Sequence, residues 1–193
     1  MTLGLRLFLA ALVLSYGLDI RAQAPPAPAK DYFPATWREV KSSEGRFTIH
    51  FPGEPKEETK EYLSPWGTVT LHSLFYGGEN FIAYSVDYRD YPTQLSDSEV
   101  GKLYSDILVK RLDSKASLKS QKTSSVDGHP SSFIELDIGT KRLREIDVVS
   151  GRRHYTLLVI TFNNHGPNTM GAENAYEKIA NAFLSSFHIT AGD

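Results

Sequence analysis

Asp147 and His154 are residues whose types could do chemistry together. If Ser150-Gly151 forms a two-residue hairpin turn, they face each other across adjacent strands. A carboxylate behind an imidazole can orient a general base for nucleophilic catalysis. That chemistry needs a nucleophile. The chain has no Gly-x-Ser-x-Gly elbow, and it has no cysteine to supply a thiol. The pair is therefore expected as a surface contact beside a hairpin.

Acidic and basic residues also alternate between positions 135 and 144. With Gly139-Thr140 as a two-residue turn, Asp137 lies opposite Arg142, Glu135 opposite Arg144 and Phe133 opposite Ile146. Two nearby carboxylates could serve as an acid/base pair. Here each has an arginine placed to hold it ionised, which is wrong for a general acid. The expected role is a ladder of ion pairs that sets strand register.

The six histidines show no H-x-H or H-x-x-x-H spacing. His50 and His72 fall in strands that could be neighbours, but no carboxylate is evidently placed to complete a metal site. No metal and no other cofactor is expected. Lys141, Arg142, Arg144, Arg152 and Arg153 gather on one hairpin and could attract an anion or a partner, although interleaved acids favour a solvated face. Tyrosine is abundant, with ten copies. Tyr76, Tyr84 and Tyr88 alternate along strands, and Tyr91 follows closely. Tyrosines make good binding anchors where exposed and ordinary sheet residues where packed. The candidate binding surface is Tyr76, Tyr84, Tyr88, Tyr91, Asp87, Arg152 and Arg153.

The elements that must position these residues follow from periodicity. Phe47, Ile49 and Phe51 alternate with Thr48 and His50, which predicts a strand over 46–51 ended by Pro52-Gly53. Further strands are expected over 66–76 and 81–88, with a turn at residues 77–80. Ser96 and Glu99 form a capping box ahead of an apolar stripe, Val100, Leu103, Tyr104, Ile107, Leu108 and Leu112, so a helix follows. Four strands are then expected near 117–124, 131–138, 141–149 and 153–162. The last is almost continuously apolar, as in a strand covered on both faces. A closing helix is expected over 172–185. No Gly-rich phosphate loop follows any strand.

Residues 1–24 have the form of a secretory signal. Arg6 precedes an apolar run from Leu7 to Leu18, too short for the roughly 20 residues of a membrane span, and small residues follow. Residues 25–36, rich in proline and alanine, read as a stiff tether. Residues 37–193 are expected to form one domain, exported to the periplasm or secreted, with no transmembrane span after signal cleavage. Net charge is −2, without the basic excess typical of nucleic-acid binders, so no nucleic-acid partner is expected.

The segment FTIHFPGEP, Phe47 to Pro55, resembles the PsbP-like superfamily, in which a strand ending F-P-x-x-P follows soon after a tryptophan. Tyr84 to Tyr88 (YSVDY), Gly128-His129-Pro130, the Arg142/Arg144 strand, Tyr155 before an apolar strand, and Phe183 with Ser186-Phe187 extend the resemblance over about residues 44–190. That superfamily includes the PsbP extrinsic subunit of photosystem II and the Ran-binding Mog proteins. The resemblance implies an α/β/α sandwich around an antiparallel sheet and no shared catalytic set. The metal sites of PsbP and the Ran-binding surface of Mog match no residues here.

The expected fold is thus α+β, a mainly antiparallel sheet with helices on both faces. The expected function is an exported, non-enzymatic binding or accessory domain for an envelope protein or small ligand. The alternatives are a metal-dependent or acid/base hydrolase using Asp147/His154 or His50/His72, and a structural envelope domain that self-associates.

Overall fold

A computed structural model describes residues 37–77, 82–112, 115–162 and 170–190. The expected signal segment, the tether and most of the 77–80 turn lie outside the described residues. The elements in chain order are β1 (Arg38–Ser42), β2 (Phe47–Phe51), β3 (Lys56–Ser64), β4 (Gly67–Gly77), β5 (Ala83–Asp90), α1 (Asp97–Leu112), β6 (Ser117–Val126), β7 (His129–Ile138), β8 (Lys141–Ser150), β9 (Arg153–Phe162), α2 (Met170–Ser185) and β10 (His188–Ile189).

Every strand pairing is antiparallel. A seven-stranded sheet runs β3-β4-β5-β9-β8-β7-β6, and a three-stranded sheet runs β1-β2-β10. Two local meanders, β3–β5 and β6–β9, therefore meet at a single seam between β5 and β9. The fold is dominated by strands, and its small second sheet goes beyond the sequence-based expectation. β1, β3 and β10 were also not anticipated.

The apolar run of β9 is explained by its central place. Tyr155, Leu157 and Val159 point into a large core with Val86, Phe51 and the α2 residues Ala180 and Phe183. Leu158 points the other way, into a cluster with Leu136, Leu143 and the α1 residues Leu108 and Leu112. Successive side chains on a strand take opposite faces, so these clusters lie on opposite sides of the sheet. Val100 and Leu103 of α1 join Val69, Tyr91 and Val149 in a third cluster. Phe47, Phe51, Tyr155 and Phe183 are at most 1% exposed, and each such burial contributes about 2–3 kcal/mol. Their edge-to-face contacts, including Phe51 on Phe183 at 5.2 Å between ring centres, add about 1 kcal/mol apiece.

Turn chemistry sets the hairpins. Asp127 and Gly128 take φ of 49° and 81°, as a two-residue Asp-Gly turn requires. β7 accordingly starts at His129, and Pro130 pairs with Ser125 on the edge strand β6. Gly139-Thr140 turns as expected, and Asp137↔Arg142, Glu135↔Arg144 and Phe133↔Ile146 are register partners. The next turn sits one residue later than the sequence suggested. Gly151, at φ 61°, begins it, so Ser150 pairs with Arg153 and Asp147 pairs with Thr156, not His154.

Candidate functional site

The ionisable residues separate into a ladder, a sealed interior network and an open cleft. In the ladder, Arg142 Nε donates to Asp137 Oδ1 at 2.9 Å and lies 3.4 Å from Glu135, while Arg144 Nε reaches Glu135 at 3.3 Å. Asp137 sits below the ordinary carboxylate range: its partial burial opposes ionisation, but Arg142 and Lys119 outweigh it.

The interior network corrects the expected surface placement of Asp147 and His154. Both are buried, His154 completely. His154 Nε2 lies 2.8 Å from Asp147 Oδ1, and the same oxygen accepts from Thr156 Oγ1 at 2.8 Å. The one-residue shift of the turn changed the register without changing the face, and diagonal neighbours on a sheet remain within reach. Tyr91 Oη lies 3.5 Å from His154 Nδ1, so the partners assign a neutral ring protonated at Nε2. Desolvation holds the His154 pKa well below its usual value, and the charge of Arg89 lowers it further.

Arg89 closes the network by donating to Tyr62 Oη at 2.8 Å and Thr156 Oγ1 at 2.9 Å. Glu145, also completely buried, accepts from Arg111 of α1 at 3.0 and 2.5 Å. Burial pushes the carboxyls of Glu145 and Asp147 up; the charge of Asp147 raises Glu145 further, while Arg111 opposes the rise. The arrangement has the parts of a catalytic dyad but gives substrate no access. It ties α1 to four strands, β3, β5, β8 and β9.

The open cleft lies where three hairpin turns and β10 converge. Its volume is about 600 Å³, and its lining includes Arg46, Asp127, His129, Ser150, Arg152 and Arg153. Arg46 belongs to the turn between β1 and β2, where its φ is 55°. A left-handed, non-glycine residue costs about 1 kcal/mol or more and needs support. Support comes from three bonds around this turn: Tyr155 Oη to Gly45 O at 2.9 Å, Arg153 Nη1 to Glu44 O at 2.6 Å and Thr190 N to Arg46 O at 2.9 Å. The Arg46 side chain itself makes no hydrogen bond or ion pair among the described residues.

Arg153 is the anchor of this end. Its guanidinium holds Asp90 in a fork, with two bonds of 2.7 Å, and lies 5.3 Å from the centre of the Tyr88 ring. The bonds from Arg153 lower the Asp90 pKa. Arg152 lies only within 3.7 Å of Asp90, and its side chain is 57% exposed. Asp127, also in the lining, is engaged by β10: its carboxylate accepts from Ile189 N at 2.8 Å and approaches His188 Nδ1 at 3.5 Å.

The candidate tyrosines do not form a solvent-facing row. Tyr84 and Tyr88 are buried on one face of the sheet, and Tyr91 is buried on the other. Tyr84 meets Trp37 edge-on at 5.7 Å, Tyr88 stacks on His72 at 4.6 Å and Tyr91 packs on Trp66 at 4.9 Å. Tyr76 is half-buried and lies over Gly53, where a Cβ would stand 2.5 Å from its ring. Asp87 is half-buried, and desolvation raises its pKa. Of the candidate residues, only Arg152 and Arg153 line the large cleft. Arg46, His129 and Ser150 were missed, because their spacing in sequence carries no motif.

His50 and His72 belong to different sheets. Among the described residues no group of three or more His, Cys, Asp or Glu side chains could hold a metal. No helix among them is long and apolar enough to cross a membrane.

Antiparallel meanders joined at β5–β9, with a small second sheet beside α2, define a PsbP-like fold. The chain is similar to the solution structure of cyanobacterial PsbP (CyanoP) from Synechocystis sp. PCC 6803, with a TM-score of 0.56 and 13% identity, over 82% of this chain and 95% of that one. The crystal structure of PA94, a protein of unknown function and putative regulator from Pseudomonas aeruginosa, aligns at a TM-score of 0.30 and 10% identity over 74% of this chain and 94% of its own. No family model matches the chain, and no curated protein matches it.

Proposed function

We propose that this chain is an exported, non-enzymatic binding or accessory domain, an α/β/α sandwich that meets its partner or ligand through the Arg46–Arg152 cleft. One observation carries the reading. The acids and bases of the ladder and the interior network are committed to each other, whereas the exposed Arg46 and Arg152 line an open volume. The sequence features of a secretory signal support export. The test is recovery of a partner from envelope extract with a photocrosslinker at Thr190, which lines the cleft and leaves both arginines in place, set against the same probe at Lys60 on β3. Equal capture at both positions, or none at either, removes the reading.

A hydrolase is favoured by one contact. Ser150 Oγ lies 3.3 Å from His129 Nε2 inside the cleft, the pairing of a nucleophile and its base at loose spacing. Ester hydrolysis abolished by both Ser150→Ala and His129→Ala would establish it. Turnover unchanged in both variants would dismiss it.

A further inference from the structure

We infer that the cleft takes a small anion bearing a carboxylate or phosphate group, held between Arg46 and Arg152. This rests on the cleft being the binding site and goes on to name the chemistry of its occupant.

Three arginines line the cleft against one carboxylate, Asp127. The surrounding acids are already used. Arg153 occupies both oxygens of Asp90, and Asp127 is directed to the backbone of β10. Three arginines against Asp127 and Asp90, the latter also 3.7 Å from Arg152, still leave one more positive than negative side chain at the cleft. Guanidinium groups offer paired donors in a plane, which suits the oxygens of carboxylate and phosphate.

The remaining lining sets the size and the polar detail. Ser150 and Thr190 add hydroxyls, and His129 adds an imidazole that can donate once its contact with Ser150 is exchanged. Ile189 and Tyr155 give the cleft an apolar wall. A volume of about 600 Å³ falls in the usual range for small-molecule sites.

The backbone is built for this placement. Arg46 is held in a left-handed conformation by bonds from Tyr155, Arg153 and Thr190. Tyr91 N donates to Arg152 O at 2.8 Å, which fixes the base of the second arginine. Both cations thus stand on restrained turns, and less ordering is needed when an anion arrives.

The experiment is a backbone-amide NMR titration with inorganic phosphate, with citrate and with neutral glucose, at constant ionic strength. Saturable shifts of Gly128, Gly151 and Thr190 are expected with phosphate, citrate or both. The arm that binds tighter separates phosphoryl from carboxylate ligands. Arg46→Gln and Arg152→Gln should each weaken binding about tenfold or more, the value of one charge-assisted hydrogen bond. Arg38→Gln, at the other end of β1, should leave binding unchanged. Shifts that spread along the lysines of β3 and β6 without saturation overturn the inference. A cleft silent to both anions overturns it too, and crosslinked capture through position 190 would then leave the proposed binding role standing. Silence in both experiments ends both.

Discussion

His154 Nε2 lies 2.8 Å from Asp147 Oδ1 although the two residues are not register partners: Asp147 stands opposite Thr156, two positions further along β9. The carboxylate therefore receives a hydroxyl from directly across and an imidazole from the diagonal. Removing it orphans both. Asp147→Ala should destabilise the fold by about 1–3 kcal/mol, read as a lower urea midpoint. Asp147→Asn keeps an acceptor and should cost less. An alanine variant as stable as the parent would show that the dyad contributes nothing to the fold.

Glu145 makes stability depend on pH in a direction opposite to that of most surface acids. Burial, then the charge of Asp147, raises its folded pKa above the ordinary value of 4.5. Its contribution is complete below that ordinary value and is lost as pH rises through the folded one. His154, lowered by burial from 6.5, acts the other way, and its contribution fades as pH falls. Asp147, also raised by burial, acts in the same direction as Glu145, and Glu145→Gln removes the Glu145 share. The stability of this variant relative to the parent should climb with pH, measured by denaturant unfolding from about pH 4 to about pH 8. A difference that stays flat across that window contradicts the assignment.

Neighbouring arginines at the cleft should behave differently. Arg153→Ala breaks the fork to Asp90 and the bond to Glu44 O, and should lower stability by about 2–3 kcal/mol. Arg152→Ala removes an exposed side chain and should change stability by less than about 0.5 kcal/mol. Thermal melts of the two variants side by side test this. Similar losses would mean that Arg152 is also a structural residue.

Gly151 stands at φ 61° with no atom within 4 Å of a Cβ built on it. Replacement by alanine meets no clash and pays only for the left-handed backbone, about 1 kcal/mol. Denaturant unfolding reads the loss. No loss would indicate that the turn relaxes to another form.

Much of the fold was legible because local rules and tertiary packing agreed. Phe47, Ile49 and Phe51 alternate in sequence and are all buried in β2. Glycine at position 139 fixed one hairpin, and its charge ladder followed. β3 was invisible for a physical reason: it is an edge strand, and its sequence KEETKEYLS is exposed over most of its length. No apolar period is needed there, and charge on an edge discourages pairing with other chains.

The sites were harder to read. Glu145 and Asp147 alternate with Ile146 and Val148, so the pattern marks them as solvent-facing. They are buried because Arg111 from a helix far off in sequence meets Glu145 there. The cleft was illegible for a related reason: Arg46, His129 and Arg152 sit at the ends of separate hairpins, and only the stacking of those ends brings them together.

The seam between β5 and β9 sets the order in which this chain can fold. The β3–β5 and β6–β9 ribbons each close through neighbouring residues, whereas Asp90 meets Arg153 and Arg89 meets Thr156 across more than sixty positions. Short loops close early and long ones late. Each ribbon should therefore form before the two dock, with the Asp90–Arg153 fork among the last contacts made. Arg153→Ala would then accelerate unfolding and leave the refolding rate nearly unchanged. In synthesis from the N-terminus, the edge of β5 that pairs with β9 waits without its partner until residues 153–162 have emerged.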